Sequence, residues 1–228
     1  MRDLELGLSI GVSARGSAVT PPVIPENAVS SNNGLNSYIL TDNLFNKAPL
    51  TVGARVKREN NTGGYAGFAA LNKIGDELFY CGTKVDGSML DMYFGGTGDS
   101  GSGPILVEDE WAWVVQTFDG SEAKLYFDGA LAVTAAMTQG ADLPVSFTLF
   151  TTNFGSRFAG ALQGVFVDES VWTLEQVVAN LNKITPLSPV SAWWLLDGVD
   201  DVMDRSGNGR HLTKVGTPVA VAGPGIPL

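Results

Sequence analysis

A chain of 228 residues is long enough for one large domain with a substantial core, and its 28 glycines and 11 prolines favour many short strands over helices. With 24 acidic against 14 basic side chains the formal charge is -10, which repels phosphate backbones and argues against nucleic acid or an anionic membrane surface as partner. One cysteine, Cys81, allows no internal disulfide, and no apolar run approaches the roughly 20 residues of a membrane span.

Residues 1–29 read as an extended arm. Asp3 and Glu5 interrupt the start, which therefore does not read as a signal peptide, and from Leu6 to Ile24 the only charge is Arg15. An uncharged, partly apolar arm suits docking along a surface, either its own domain or a neighbouring copy. The compact part is expected over 30–216. Strands are expected at 36–40 and at 50–57, where Leu50, Val52, Ala54 and Val56 alternate onto one face. Further strands are expected at 65–71, 77–84, 88–94, 111–118, 123–127, 131–135, 145–151 and 161–168, with a glycine-rich loop at 95–103. Asp119-Gly120 and Asp128-Gly129 are tight turns. Thr173-Leu174-Glu175-Gln176 is a capping box opening one short helix near 173–183, with Val177, Val178 and Leu181 as its inner stripe and Pro186 stopping it. Residues 190–216 are expected to complete the sheet that 36–58 begin, and 217–228 form an uncharged tail. If Trp193 and Trp194 share a strand, one must face outward.

The fold class is all-β, a two-layer sandwich. Its wording is also specific. The run WAWVVQTFDGSEAKLYFDGALAVTAA (111–136) resembles the concanavalin A-like, or laminin-G-like, jelly-roll domains, in which a Trp-led strand runs into two Asp-Gly turns. GALQGVFVDESVWTLEQVVANL (160–181) is similar to the closing motif of those domains. SAWWLLDGVDDVMDRSGNGRHLTKVG (191–216) is similar to their opening motif, here placed last.

That resemblance implies a fold that hosts lectins, glucanases and structural modules. Glucanases of the group carry E-x-D-x-x-E on one strand face. Here Glu108-Asp109-Glu110 and Asp168-Glu169 are adjacent acids that alternate faces and cannot converge on one sugar, so no catalytic residue is assigned. His211, the single histidine, and Cys81, in a strand, read as structural. Many relatives bind calcium through Asp and Asn oxygens, and Asp197, Asp200, Asp201, Asp204 and Asn208 are dense enough to be weighed as ligands against plain turn caps. No other cofactor is implied. Glycan-binding candidates on loops at the sandwich rim are Asn60, Asn61, Tyr65, Asp99, Asn153 and Arg157.

The expected function is a non-catalytic structural and attachment module. The layout of arm, sandwich and tail resembles small bacteriophage virion proteins that decorate heads or tails. On that reading the chain is made in the host cytoplasm, resides in the virion and forms homo-oligomers with other virion subunits through the N-terminal arm. The alternative is a glycan-binding lectin module that adheres to a cell surface.

Overall fold

Leu50, Val52, Ala54 and Val56 alternate along one strand and all four are buried between two sheets, as their spacing demands. The computed structural model describes residues 27–31, 36–41, 45, 48–59, 65–73, 76–84, 90–94, 103–139, 145–151 and 157–225. The strands are β1 (Asn27–Ser30), β2 (Ser37–Leu40), β3 (Leu50–Arg58), β4 (Ala66–Lys73), β5 (Asp76–Thr83), β6 (Leu90–Phe94), β7 (Trp111–Phe118), β8 (Glu122–Phe127) and β9 (Ala130–Ala136). There follow β10 (Ser146–Leu149), β11 (Gly160–Asp168), helix α1 (Leu174–Asn180), β12 (Ala192–Trp194), β13 (Thr213–Val215) and β14 (Val219–Ala222).

The larger, eight-stranded sheet runs β14-β1-β11-β3-β7-β8-β9, with β12 also paired to β11. The smaller, six-stranded sheet runs β13-β2-β10-β4-β5-β6. All strand pairings are antiparallel, and the inward residues of both layers form one core. The turns obey their sequence. Asp128 (φ 46°) and Gly129 (φ 80°) take the paired positive φ of a two-residue hairpin, which joins Phe127 opposite Ala130. Asp119 accepts the N–H groups of Ser121 and Glu122 and the Ser121 hydroxyl, closing the β7–β8 turn.

β3, β7 and β11 are buried on both faces. On the outer face of the larger sheet Trp113, Val115, Tyr126, Phe166, Trp172, Val177 and Val190 make a second cluster under α1. Phe166 stacks on Trp172 with ring centres 4.4 Å apart and lies directly over Gly53, where a Cβ would meet the Phe166 ring at 2.2 Å. Glycine is therefore required there. Arg55 stacks on Trp113 at 4.5 Å in the same layer. Burial pulls its guanidinium down to about 10, with Asp128 working the other way, so it stays cationic at neutral pH.

Three expectations are corrected. Residues 27–29 and 219–222 are strands, not arm and tail: β1 pairs with β14 along Asn27–Ser30 and docks on β11. The described part of each terminal segment thus lies on its own sandwich. Residues 190–216 serve both sheets, because β12 pairs with β11 while β13 pairs with β2. Val178 is 49% exposed, since a step of one helical residue turns it off the face shared by Val177 and Leu181. The capping box itself is present, with Thr173 and Gln176 exchanging backbone-to-side-chain hydrogen bonds of 3.3 and 2.8 Å. Residues 1–26 and 95–102 lie outside the described residues, and among those described no helix is long and apolar enough to cross a membrane.

Candidate functional site

Asp204 organises the C-terminal segment. Its carboxylate accepts the backbone N–H groups of Trp193 (3.1 Å), Ser206 (2.9 Å) and Arg210 (2.9 Å), and its own N–H donates to Nδ1 of His211 at 3.0 Å. Burial works to raise this carboxyl, but the Arg210, Ser206 and Trp193 hydrogen bonds outweigh it and hold the group below its ordinary value. Around it, Asn208 and Arg210 both donate to the carbonyl of Ser191, and Arg210 reaches Glu169 at 3.2 Å. His211 thus accepts a backbone hydrogen bond within this turn.

This clamp fixes β12 so that Trp194 faces inward, stacked on Phe147 at 5.5 Å, and donates its indole N–H to the Arg210 carbonyl at 2.7 Å. Trp193 therefore faces outward. The 185–190 segment crosses beside it, tethered by Asn180, whose side-chain oxygen accepts the Leu187 N–H at 2.9 Å while its amide donates to the Gln176 carbonyl. Between them lies a groove of about 290 Å³, with Thr185 through Val190 on one side and Trp193, Arg205 and Ser206 on the other. One guanidinium nitrogen of Arg205 spans both oxygens of Asp201, at 3.0 and 3.1 Å. The indole Nε1 of Trp193 is buried with no partner. An aromatic plane, prolines and hydroxyls beside a polar pair give the groove both apolar and hydrogen-bonding surface. Two adjacent tryptophans were the signal for an outward ring; nothing in the sequence pointed to the 185–190 wall.

Of the glycan candidates, Tyr65 is 43% exposed just before β4, and Arg157 is exposed, bridging through its backbone to Gly67 and to Thr151. The topology brings these two to one end of the sandwich, where β4 begins and β10 ends. Asn60, Asn61, Asp99 and Asn153 lie outside the described residues. The calcium candidates are engaged by protein donors. Asp197 accepts the Asn27 N–H, Asp200 pairs with Lys214, Asp201 pairs with Arg205, Asp204 is the turn clamp, and the Asn208 amide donates to Ser191. Among the described residues no three His, Cys, Asp or Glu side chains stand together as a metal site.

The acidic pairs also have structural partners. Glu108 faces Arg58 at 3.4 Å, Asp168 accepts the Trp172 indole N–H at 2.9 Å, and Glu169 holds Arg210. Cys81 is buried in β5, where burial, with Asp91 adding to it, pushes its thiol well up.

Two antiparallel sheets packed face to face, closed by a Trp-bearing C-terminal segment, define a jelly roll of the lectin type. The chain belongs to the concanavalin A-like lectin/glucanase superfamily: the Laminin_G_3 family profile, described as "Concanavalin A-like lectin/glucanases superfamily", matches residues 32–178. The match ends before the groove at 185–206. Among solved structures, a Bacteroides ovatus protein described as a candidate carbohydrate binding protein is similar at 15% identity and a TM-score of 0.66. The match covers 88% of this chain and 61% of that one. The native heptameric SAP-like pentraxin of Limulus polyphemus is similar at 17% identity and a TM-score of 0.65, covering 90% of this chain and 98% of that one. Trypanosoma rangeli sialidase is similar at 15% identity and 0.51 over 61% of this chain but 23% of that one. At these identities the likeness is one of fold. No curated protein matches the chain.

Proposed function

We propose that this protein is a non-catalytic carbohydrate-binding module whose ligand stacks on Trp193. The observation that carries the reading is the outward indole on the wall of a groove of about 290 Å³, beside the Arg205–Asp201 pair and the hydroxyl of Ser206. A pyranose ring presents an apolar C–H face and a polar hydroxyl rim, and this groove offers the complement of each. Membership of a lectin-containing superfamily supports the same class of ligand. The non-catalytic part of the reading is supported by the placement of Glu108, Asp168 and Glu169, each held by a structural partner.

A glycan array probed with the full chain, with and without calcium, tests this. The expected result is selective binding, followed by titration through tryptophan fluorescence, with Trp193→Ala weakening it by about tenfold or more while the melting curve is retained. Loss of binding on Tyr65→Ala or Arg157→Ala, with Trp193→Ala silent, would move the site to the loop end of the sandwich. An array with no bound glycan would overturn the proposal, and release of reducing sugar would overturn its non-catalytic part. A role in a virion is the remaining proposal for where such a module works, and it rests on the sequence resemblance.

A further inference from the structure

The polar groups around the groove at Trp193 are one-sided in kind. Among the described residues its lining carries one charged side chain, Arg205, and no Asp, Glu, Asn or Gln. Thr185, Ser188 and Ser206 add hydroxyls, and that of Ser206 already donates to the Ser191 carbonyl and accepts from Asn208. The carboxylates nearby are committed to protein donors. Asp204 takes three backbone N–H groups, Glu169 takes Arg210, and Asp201 takes Arg205 together with the Asp197 N–H at 3.1 Å. A neutral sugar is held by hydroxyls, each of which has a proton to give as well as lone pairs to fill. This lining instead offers a cationic donor and few acceptors.

Asp201 does not saturate Arg205. Both Asp201 oxygens meet a single guanidinium nitrogen, Nη2, at 3.0 and 3.1 Å. Nε and Nη1 donate to no described protein group, and the side chain is 42% exposed. Asp201, only 15% exposed, therefore fixes the guanidinium while part of its planar fork stays open to a ligand. Resting on the reading of this groove as a glycan site, we propose that its ligand is an acidic sugar. The ring stacks on Trp193, and the ring's carboxylate accepts hydrogen bonds from Arg205, which Asp201 positions. The planar guanidinium matches a carboxylate in shape as well as charge. A net charge of -10 over the rest of the chain repels a densely sulfated polymer, so an isolated carboxylate is the anion that fits.

The test is an array on which each glycan ending in a sugar acid stands beside its carboxyl-reduced counterpart and a sulfated analogue, probed with the full chain. The acid members are expected to bind about tenfold more tightly than their reduced counterparts. Arg205→Gln is expected to bring acid and reduced members to equal affinity, with the tryptophan fluorescence response and the melting curve retained. Arg205→Lys, a cation without the planar fork, is expected to keep part of the preference. Preferred binding of neutral, reduced or sulfated members, still lost in Trp193→Ala, would overturn the acidic ligand and leave the glycan site standing. A preference for acids that Arg205→Gln leaves unchanged would overturn the assignment to Arg205. Binding indifferent to Trp193→Ala, or none at all, removes the glycan site itself and the acidic ligand with it.

Discussion

The core between the sheets and the cluster on the outer face of the larger sheet draw on the same strands but on opposite residues of them. Inward go Val52, Ala54, Val114 and Leu162, aliphatic and met by the whole second sheet. Outward go Trp113, Val115 and Phe166, mostly aromatic and met by one seven-residue helix and the segment after it. A second sheet covers a face completely. A short helix and a loop cover it in part, and the uncovered margin beside Trp193 is the groove. In this molecule the proposed recognition surface is where the roof is incomplete.

The largest expected effect comes from breaking the inner side of that contrast. Trp194 is fully buried and stacked on Phe147, so Trp194→Ala is expected to cost about 3–5 kcal/mol, read as a lowered urea midpoint. Next comes the clamp that turns the two tryptophans in opposite directions. Asp204→Asn weakens charge-assisted hydrogen bonds to three backbone amides and is expected to cost about 1.5–3 kcal/mol at neutral pH. Because the folded-state pKa of Asp204 is depressed, its contribution is complete above the unfolded value of about 3.9 and disappears as pH falls through the lower folded value. The wild type should therefore lose stability below about pH 4 more steeply than Asp204→Asn; parallel acid melts would disprove the clamp. The smallest effect sharpens the picture of the inner core. Gln116 is fully buried, with neither end of its amide hydrogen-bonded. Gln116→Met, close in volume, is expected to raise stability by about 1–2 kcal/mol in the same urea titration.

Period-two patterning made the inner core legible before any coordinates. Leu50 to Val56 and the two Asp-Gly hairpins stand where their spacing puts them, because long strands repeat the signal several times. β1 and β14 are four residues long and hold two repeats, so their membership of the larger sheet is hidden in the reading of an arm and a tail. The helix start was readable from Thr173 and Gln176, which interact across three residues. The outward turn of Val178 was not, because it depends on what α1 packs against. The groove was the least legible feature. Its wall has no periodicity, and the orientation of Trp193 is decided by Asp204, 11 residues later. Tyr65 and Arg157 could be listed as rim residues from sequence, but only the neighbouring of β4 and β10 brings them to the same end.

The pairing of β1 with β14 has a mechanical consequence. Asn27 stands opposite Ala222 and Ser30 opposite Val219, so the backbone leaves this pair toward both flanking segments from the same side. A pull applied through those segments would open the ladder one rung at a time, as a zipper opens, instead of shearing all its rungs together. Under load the sandwich should yield first at this seam, with its aromatic groove and its inner layers still intact.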